Sequence, residues 1–322
     1  MTKVVQSAIF TFPHCHSVCV VLRSTCRLDI RSATVCNVTG HFDLLGLTDS
    51  NHFAHFRLPV TPDLSTPFDF LYGGSGIAAS IEAAERVTER PLMWITTQFL
   101  TNTAPGTVVD LDVATPVAGR ATSQVQVNAS VDGELMLSSL CAHTSRPEGK
   151  RATFLTMPSV PPPKDCSPLA EPFDAVPNRP RSFFDSLDRR VAAGKFAFGE
   201  DQQPQPVPLA MWSRVRGQSL RTAASLAFIG DIVPLGICIA LGQPLGGTSI
   251  DNTLRIVQTD FETEWALLEI IPESFQHSIG HGSVRMWSET GELLAVAQQT
   301  CIIRTSHHSA IPAGTSAGAD SA

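Results

Sequence analysis

A glycine- and serine-rich stretch at residues 71–80, LYGGSGIAAS, combines residue types that three different chemistries use. Residues 74–79 satisfy the pattern G-x-G-x-x-A of a dinucleotide loop, but no buried strand precedes them and no acid follows at the required distance. Ser75 resembles a nucleophile on a tight turn, yet Ile77 stands where that turn needs glycine. The stretch therefore predicts a helix start, with small residues that permit close packing and N–H groups that face a ligand groove.

The eight cysteines do not have the spacing of a metal or redox site. They stand at positions 15, 19, 26, 36, 141, 166, 238 and 301, and none forms a C-x-x-C pair. His14, Cys15, His16 and Cys19 lack a second ligand pair, so neither a metal nor another cofactor is predicted.

Composition and charge restrict the class of protein. The 322 residues are 43% hydrophobic and 16% charged, which is typical of a globular chain with one large domain or two medium ones. A net charge of −7 argues against a nucleic-acid or anionic-membrane partner, because both require a basic surface. No apolar run in residues 1–40 is long enough to span a membrane, so a cytoplasmic location is expected. We expect residues 1–40 to be a poorly ordered extension or the product of a mis-assigned start codon, with a weak leader as the alternative.

Hydrophobic periodicity predicts a helix followed by four strands, twice, with two further strands before the second helix. Residues 74–87 have the periodicity of an amphipathic helix, with Glu82 and Arg86 one turn apart on its polar face. In the second half the corresponding apolar segment is 223–241. Strands are predicted at 92–100, 108–114, 122–131, 135–143, 182–191, 209–215, 249–257, 265–271, 282–288 and 293–303.

Two turns relate the halves. Residues 131–135, VDGEL, correspond to 289–293, ETGEL, so Gly133 and Gly291 differ by 291 − 133 = 158. Eight prolines between 158 and 180 exclude a continuous helix or central strand there. We therefore predict an extension (1–40), a first α+β unit (41–147), a proline-rich linker (148–180), a second unit (181–306) and a flexible tail (307–322).

These features together resemble the double-hotdog acyl-CoA thioesterase II family over roughly residues 42–304. The resemblance implies an α+β double hotdog, in which two helix-wrapped antiparallel sheets form a pseudo-dimer within one chain. The motifs that carry it are Tyr72-Gly73-Gly74, Ala83-Ala84, Thr97-Gln98-Phe99-Leu100, Asp132-Gly133, Leu226-Ala227-Phe228-Ile229-Gly230-Asp231, Ser249-Ile250-Asp251-Asn252, Glu264-Trp265-Ala266-Leu267-Leu268, Gly291-Glu292-Leu293-Leu294-Ala295 and Gln298-Gln299 before Arg304.

The resemblance also implies a site. In that family an Asp, a Gln and a hydroxyl side chain hold the hydrolytic water, and the best matches here are Asp251 and Gln299. The expected threonine aligns with Phe275, so either the adjacent Ser274 replaces it or hydrolysis is weakened or lost. A carboxylate can accept the proton of water and an amide can orient it. The local alternative is that Asp251 and Gln299 only satisfy neighbouring strands.

Further residues are assigned to substrate binding. Gly73, Gly74 and Ser75 would present backbone N–H groups to the thioester carbonyl. Asp231, with Pro234 after it, signals a helix start or kink, where it would cap a helix or contact substrate. His281, between two glycines, is either at a pocket rim or in a solvated turn.

The first hypothesis is an acyl-CoA thioesterase that releases free fatty acid and CoA. A non-hydrolytic acyl-CoA or acyl-carrier binding protein is the alternative, and a hotdog hydratase comes third. The offset of 158 sets Met93 or Trp94 opposite Asp251 and Cys141 opposite Gln299, so only the second half is expected to carry the chemistry. A homo-dimer or larger homo-oligomer is expected, because exposed sheet edges often pair.

Overall fold

The computed structural model describes residues 40–147, 149–169, 179–196, 209–242 and 246–304. They belong to one compact unit, Val35–Ala322. The predicted extension (apart from Gly40) and the predicted tail lie outside the described residues.

From its helix onwards the first half follows the predicted order of elements, and two short strands that were not predicted precede the helix. Its helix α1 is buried along most of its length, and Glu89, the residue after its last turn, adopts a left-handed conformation with φ 53°. The bounds are β1 Thr48–Asp49, β2 His55–Pro59, α1 Gly73–Thr88, β3 Leu92–Phe99, β4 Val108–Ala118, β5 Thr122–Val131 and β6 Glu134–Thr144.

The second half repeats this order, with two short helices where the first half has one and with its first strand inside the predicted linker. The bounds are β7 Ser167–Pro168, β8 Leu187–Ala193, β9 Leu209–Val215, α2 Ala223–Gly230, α3 Val233–Ala240, β10 Gly246–Ile256, β11 Ala266–Gln276, β12 Ile279–Ser288 and β13 Leu293–Arg304. Of the strand predicted at 182–191, the first part is a 3-10 turn, Phe183–Ser186.

The apolar segment 223–241 bends at Asp231. Thr222 caps α2 by accepting a hydrogen bond from the Ser225 N–H at 3.1 Å, and Pro234 lies in the first turn of α3, where its missing N–H costs nothing. Residues Ala223–Ala240 are long and apolar enough to cross a membrane, but 78% of this stretch is buried inside the protein. It is thus the pair of helices at the centre of the core.

The strands form one antiparallel sheet. Its order is β1-β2-β4-β5-β6-β3-β10-β13-β12-β11-β9-β8-β7, and α1 and α2 contact each other on its inner face. The sequence predicted two sheets; the structure has a single one because β3 pairs with β10, so that Thr97 lies opposite Asn252. This pairing satisfies the backbone groups that would otherwise make each half end in an open edge.

Both halves carry a bulge at the same place. The ladder shifts between Leu92 and Trp94 in β3 and between Ser249 and Asp251 in β10, each 157 residues apart (249 − 92 and 251 − 94). Of the two predicted counterparts of Asp251, the register therefore gives Trp94 and not Met93.

The linker covers part of the outer face of the sheet. Trp212 donates its indole N–H to the Pro161 carbonyl at 2.8 Å, and Met157 and Val160 pack on a small apolar cluster beneath. That cluster consists of Cys166, Ala210, Trp212, Trp265, Leu267, Trp287 and Leu293.

Candidate active site

A buried carboxylate lies at the bend between α2 and α3. Asp231 is 7% exposed and accepts hydrogen bonds from Asn252 Nδ2 at 3.2 Å and from Gln299 Nε2. A third hydrogen bond comes from the backbone N–H of Gly74, at the start of α1. Asp231 is thus held by groups from three different elements.

A β-bulge aligns the polar side chains of β10. Alternation along a strand would put Ser249 and Asn252, three residues apart, on opposite faces. The extra residue between Ser249 and Asp251 changes this, because Asn252 then pairs with Gln299 while Ser249 pairs with Cys301, two residues further on the same face of β13. Gln299 Nε2 accordingly also donates to Ser249 Oγ, at 2.6 Å.

The amide of Gln299 has one free end. Its Nε2 hydrogens go to Asp231 and Ser249, whereas its Oε1 is buried and has no hydrogen-bond partner among the described residues. Leaving a buried acceptor unpaired costs about 1–3 kcal/mol. A water or hydroxyl that donates to Oε1 would remove this cost.

The environment of Asp231 sets its ionisation. Burial raises the pKa of this carboxyl to about 6, although the hydrogen bonds from Asn252, Gln299 and Gly74 oppose the rise. The group can therefore change its protonation state near neutral pH, as a general base must.

The start of α1 approaches Asp231 closely. A Cβ at Gly73 would overlap Asp231 Oδ2, and a Cβ at Gly74 would lie 2.8 Å from the Phe228 carbonyl oxygen. These two glycines are thus required by contact between the halves. Ser75, predicted to bind substrate, instead donates its hydroxyl to the Leu64 carbonyl at 3.0 Å.

Three of the predicted site residues lie on the other face of the sheet. They lie in one row across neighbouring strands. Asp251 pairs with Thr300, Thr300 pairs with His281, and His281 pairs with Ser274. The Asp251 carboxylate accepts the Thr300 N–H at 2.8 Å, and His281 Nδ1 lies 3.2 Å from Thr300 Oγ1. His281 is in strand β12, not in a turn.

The bulge explains why Asp251 does not join the site. Ser249 and Asn252 both lie on the inner face of the sheet, and Asp251 lies on the outer face. The structure thus brings Asp231, Gln299, Gly73 and Gly74 together and separates Asp251, Ser274 and His281 from them. Ser249 and Asn252 were missed, although both stand in the quoted motif Ser249-Ile250-Asp251-Asn252. A signal was present in the hydroxyl of Ser249, but its face depends on a bulge that periodicity does not show.

The matching positions of the first half are apolar. The offsets of 157 and 158 place Leu92 at Ser249, Ile95 at Asn252 and Cys141 at Gln299. Burial raises the pKa of the Cys141 thiol to about 12, which disfavours a thiolate nucleophile there. In the described part of the chain, no three His, Cys, Asp or Glu residues lie close enough to hold a metal ion.

Solved structures share this architecture. One from Novosphingobium aromaticivorans, described as a thioesterase, has a TM-score of 0.70 and 28% identity, covering 80% of this chain and 98% of that one. A hotdog-fold protein of unknown function from Alicyclobacillus acidocaldarius has a TM-score of 0.71 and 22% identity, covering 82% and 97%. An acyl-CoA thioesterase II from Mycobacterium marinum has a TM-score of 0.63 and 18% identity, covering 83% and 98%. The fold is a hotdog fold.

Family models assign the chain more closely. A model of the acyl-CoA thioesterase N-terminal domain matches residues 61–145, and one of the C-terminal domain matches residues 163–303. Among curated protein sequences there is no match. The two models together span most of the chain, which belongs to the acyl-CoA thioesterase family and is a thioesterase.

Proposed function

We propose that Asp231, Ser249 and Gln299 hold the water that hydrolyses an acyl-CoA thioester to a free acid and CoA. The observation that carries this proposal is the buried Oε1 of Gln299, which has no hydrogen-bond partner in the described part of the chain. The Nε2 of the same amide donates to the Asp231 carboxylate and to the Ser249 hydroxyl. These are the three side-chain types that the family resemblance implies, but the carboxylate is Asp231 and the hydroxyl is Ser249.

Each residue has a chemical role. Asp231 takes a proton from the water as its oxygen attacks the carbonyl carbon. The tetrahedral intermediate then collapses, the C–S bond breaks, and the proton passes to the leaving thiolate. Gln299 Oε1 accepts the second hydrogen of the water, and Ser249 Oγ orients it.

The developing oxyanion needs donors. Helix α1 starts at Gly73, against Asp231, and the N–H groups of a helix start favour negative charge. The predicted contact of the Gly73 N–H with the thioester carbonyl is kept in this proposal, whereas the Gly74 N–H already donates to Asp231.

The architecture around this site is a pseudo-dimeric double hotdog, with two helix-wrapped units in one chain. Two features support it, the repeated order of helix and four strands and the bulge at the same place in β3 and β10. A cytoplasmic location, a part in fatty acid metabolism and a homo-oligomeric state stay predictions.

Release of free CoA from acyl-CoAs of different chain lengths tests the proposal. Asp231→Asn should lower kcat by about a hundredfold to ten-thousandfold, since a general base contributes that much. Gln299→Ala and Ser249→Ala should also lose activity. Asp251→Asn is the matched control, because it removes a carboxylate two residues from Ser249 on the outer face, and it should keep wild-type activity.

The reverse pattern, with Asp251→Asn inactive and Asp231→Asn active, would overturn the assignment. Tight binding of acyl-CoA without release of CoA by the wild type would instead favour the non-hydrolytic binding protein.

A further inference from the structure

Tyr72, the single tyrosine of the chain, lies fully inside the core immediately before α1. Its ring stacks on Phe183 with centroids 3.8 Å apart and planes 1° from parallel. Phe228 packs against it edge-on, at 5.6 Å and 89°. Contacts with Phe183 on one side and Phe228 on another restrict the orientation of the Tyr72 ring.

The hydroxyl of Tyr72 reaches the bend that carries Asp231. It donates a hydrogen bond to the backbone carbonyl of Asp231 at 2.9 Å. Asp231 has φ −81° and ψ 65°, outside helical values, so the bend is a local conformation that needs its own support. The Tyr72 hydroxyl thus holds Asp231 by its backbone carbonyl, and the nearby Gly74 N–H holds it by its carboxylate.

We infer that Tyr72 is a positioning residue, which fixes the backbone of Asp231 so that its carboxylate stays in contact with Gly74, Asn252 and Gln299. The inference rests on the proposed function, in which Asp231 is the base. Phenylalanine at this position would keep the stacking but leave the Asp231 carbonyl without its donor. The bend could then relax, and a small displacement of a catalytic group has a large effect on rate.

Few charges surround this contact. Asp231 itself and the buried Arg189 face Tyr72, and the Cys301 thiol faces Asp231. Burial raises the pKa of the Tyr72 phenol well above its usual value and that of the Cys301 thiol to about 12. Asp231 is thus the member of this group that changes charge near neutral pH.

The first test is Tyr72→Phe. Its kcat for release of CoA should fall roughly tenfold to a hundredfold while KM changes little. Ser80→Ala is the matched control, because the Ser80 hydroxyl also donates to a backbone carbonyl within α1, that of Gly76 at 2.9 Å, away from Asp231. Thermal unfolding of both variants checks that each is folded. Equal kcat values in the two variants would overturn the inference.

The second test does not require turnover. Labelling the tyrosine at its phenolic carbon gives a single NMR resonance, because the chain has one tyrosine. In the wild type its chemical shift should titrate with a midpoint of about pH 6, the pKa of Asp231, and in Asp231→Asn it should not. The same response in both proteins would contradict the inference. Lack of CoA release by the wild type would contradict only the proposed function, since the resonance still decides the contact.

Discussion

At the scale of the residue, Asp231 combines burial with three hydrogen-bond donors. Desolvation disfavours its charged form, whereas Asn252, Gln299 and Gly74 favour it, and burial prevails. A carboxyl with an ordinary pKa would be a weaker base, so the surroundings of Asp231 suit it to take a proton from water.

The rate of hydrolysis should depend on the ionisation of Asp231. Because the base must be deprotonated, kcat/KM should rise with pH through a midpoint of about 6. Asp251→Asn should keep the same midpoint, while any residual activity of Asp231→Asn should lack this step. A pH–rate profile of the three proteins measures it, and a midpoint near the ordinary aspartate pKa in the wild type would contradict the prediction.

Stability should change with pH in the opposite direction. The pKa of Asp231 is about 6 in the folded state and 3.8 in the unfolded reference, so the folded protein binds this proton more tightly. Its contribution is present below pH 3.8 and is lost as pH rises through about 6. Relative to Asp231→Asn, the free energy of unfolding should fall by up to about 3 kcal/mol over this range. Denaturant unfolding at several pH values measures this difference, and a constant difference would refute it.

At the scale of the element, helix α3 packs on its strands through glycines. A Cβ at Gly282 would lie 2.8 Å from Val233 Cγ1 and 2.9 Å from the Ile271 carbonyl oxygen. A Cβ at Gly280 would meet Ile237 at 2.5 Å. The helix thus comes close enough to the sheet to set Asp231 beside Gln299, and His281 between the glycines points to the outer face.

Gly282→Ala should therefore destabilise the protein by about 1–3 kcal/mol, since the backbone of β11 cannot yield to the added methyl group. His281→Ala, a change at the adjacent but exposed position, should alter the free energy of unfolding by less than about 0.5 kcal/mol. Denaturant unfolding of the two variants compares them. Equal effects would show that α3 tolerates displacement from β12.

At the scale of the whole molecule, the site belongs to neither half alone. Asp231, Ser249, Asn252 and Gln299 come from the second half, and the start of α1 comes from the first. The β3–β10 pairing and the contact between α1 and α2 bring these parts together.

Gly73→Ala should lower kcat although the residue lies in the half without polar site residues. The added Cβ would overlap Asp231 Oδ2 and displace the carboxylate. A loss of roughly tenfold or more is expected. Gly149→Ala, where the Cβ meets no atom within 4 Å, is the control and should behave like the wild type. Unchanged CoA release by Gly73→Ala would mean that the two halves are not coupled in this way.

The sequence by itself determined much of this protein. The repeated helix and strands, the turns at Gly133 and Gly291 and the kink before Pro234 followed from local periodicity and turn residues. The thioesterase family followed from the resemblance of the quoted motifs and their order. Gln299 followed from the family resemblance, as the glutamine five residues before Arg304 on the last strand.

The tertiary structure decided the partners of Gln299. A bulge at Ile250 reverses the face of every residue after it, so Ser249 and Asn252 face inwards and Asp251 does not. Asp231 reaches Gln299 from 68 residues away because the helix bend docks on the sheet. The union of two predicted sheets into one likewise depended on the β3–β10 pairing. Local patterns encode which residues form a strand, whereas its register and neighbours are set by packing over the whole chain.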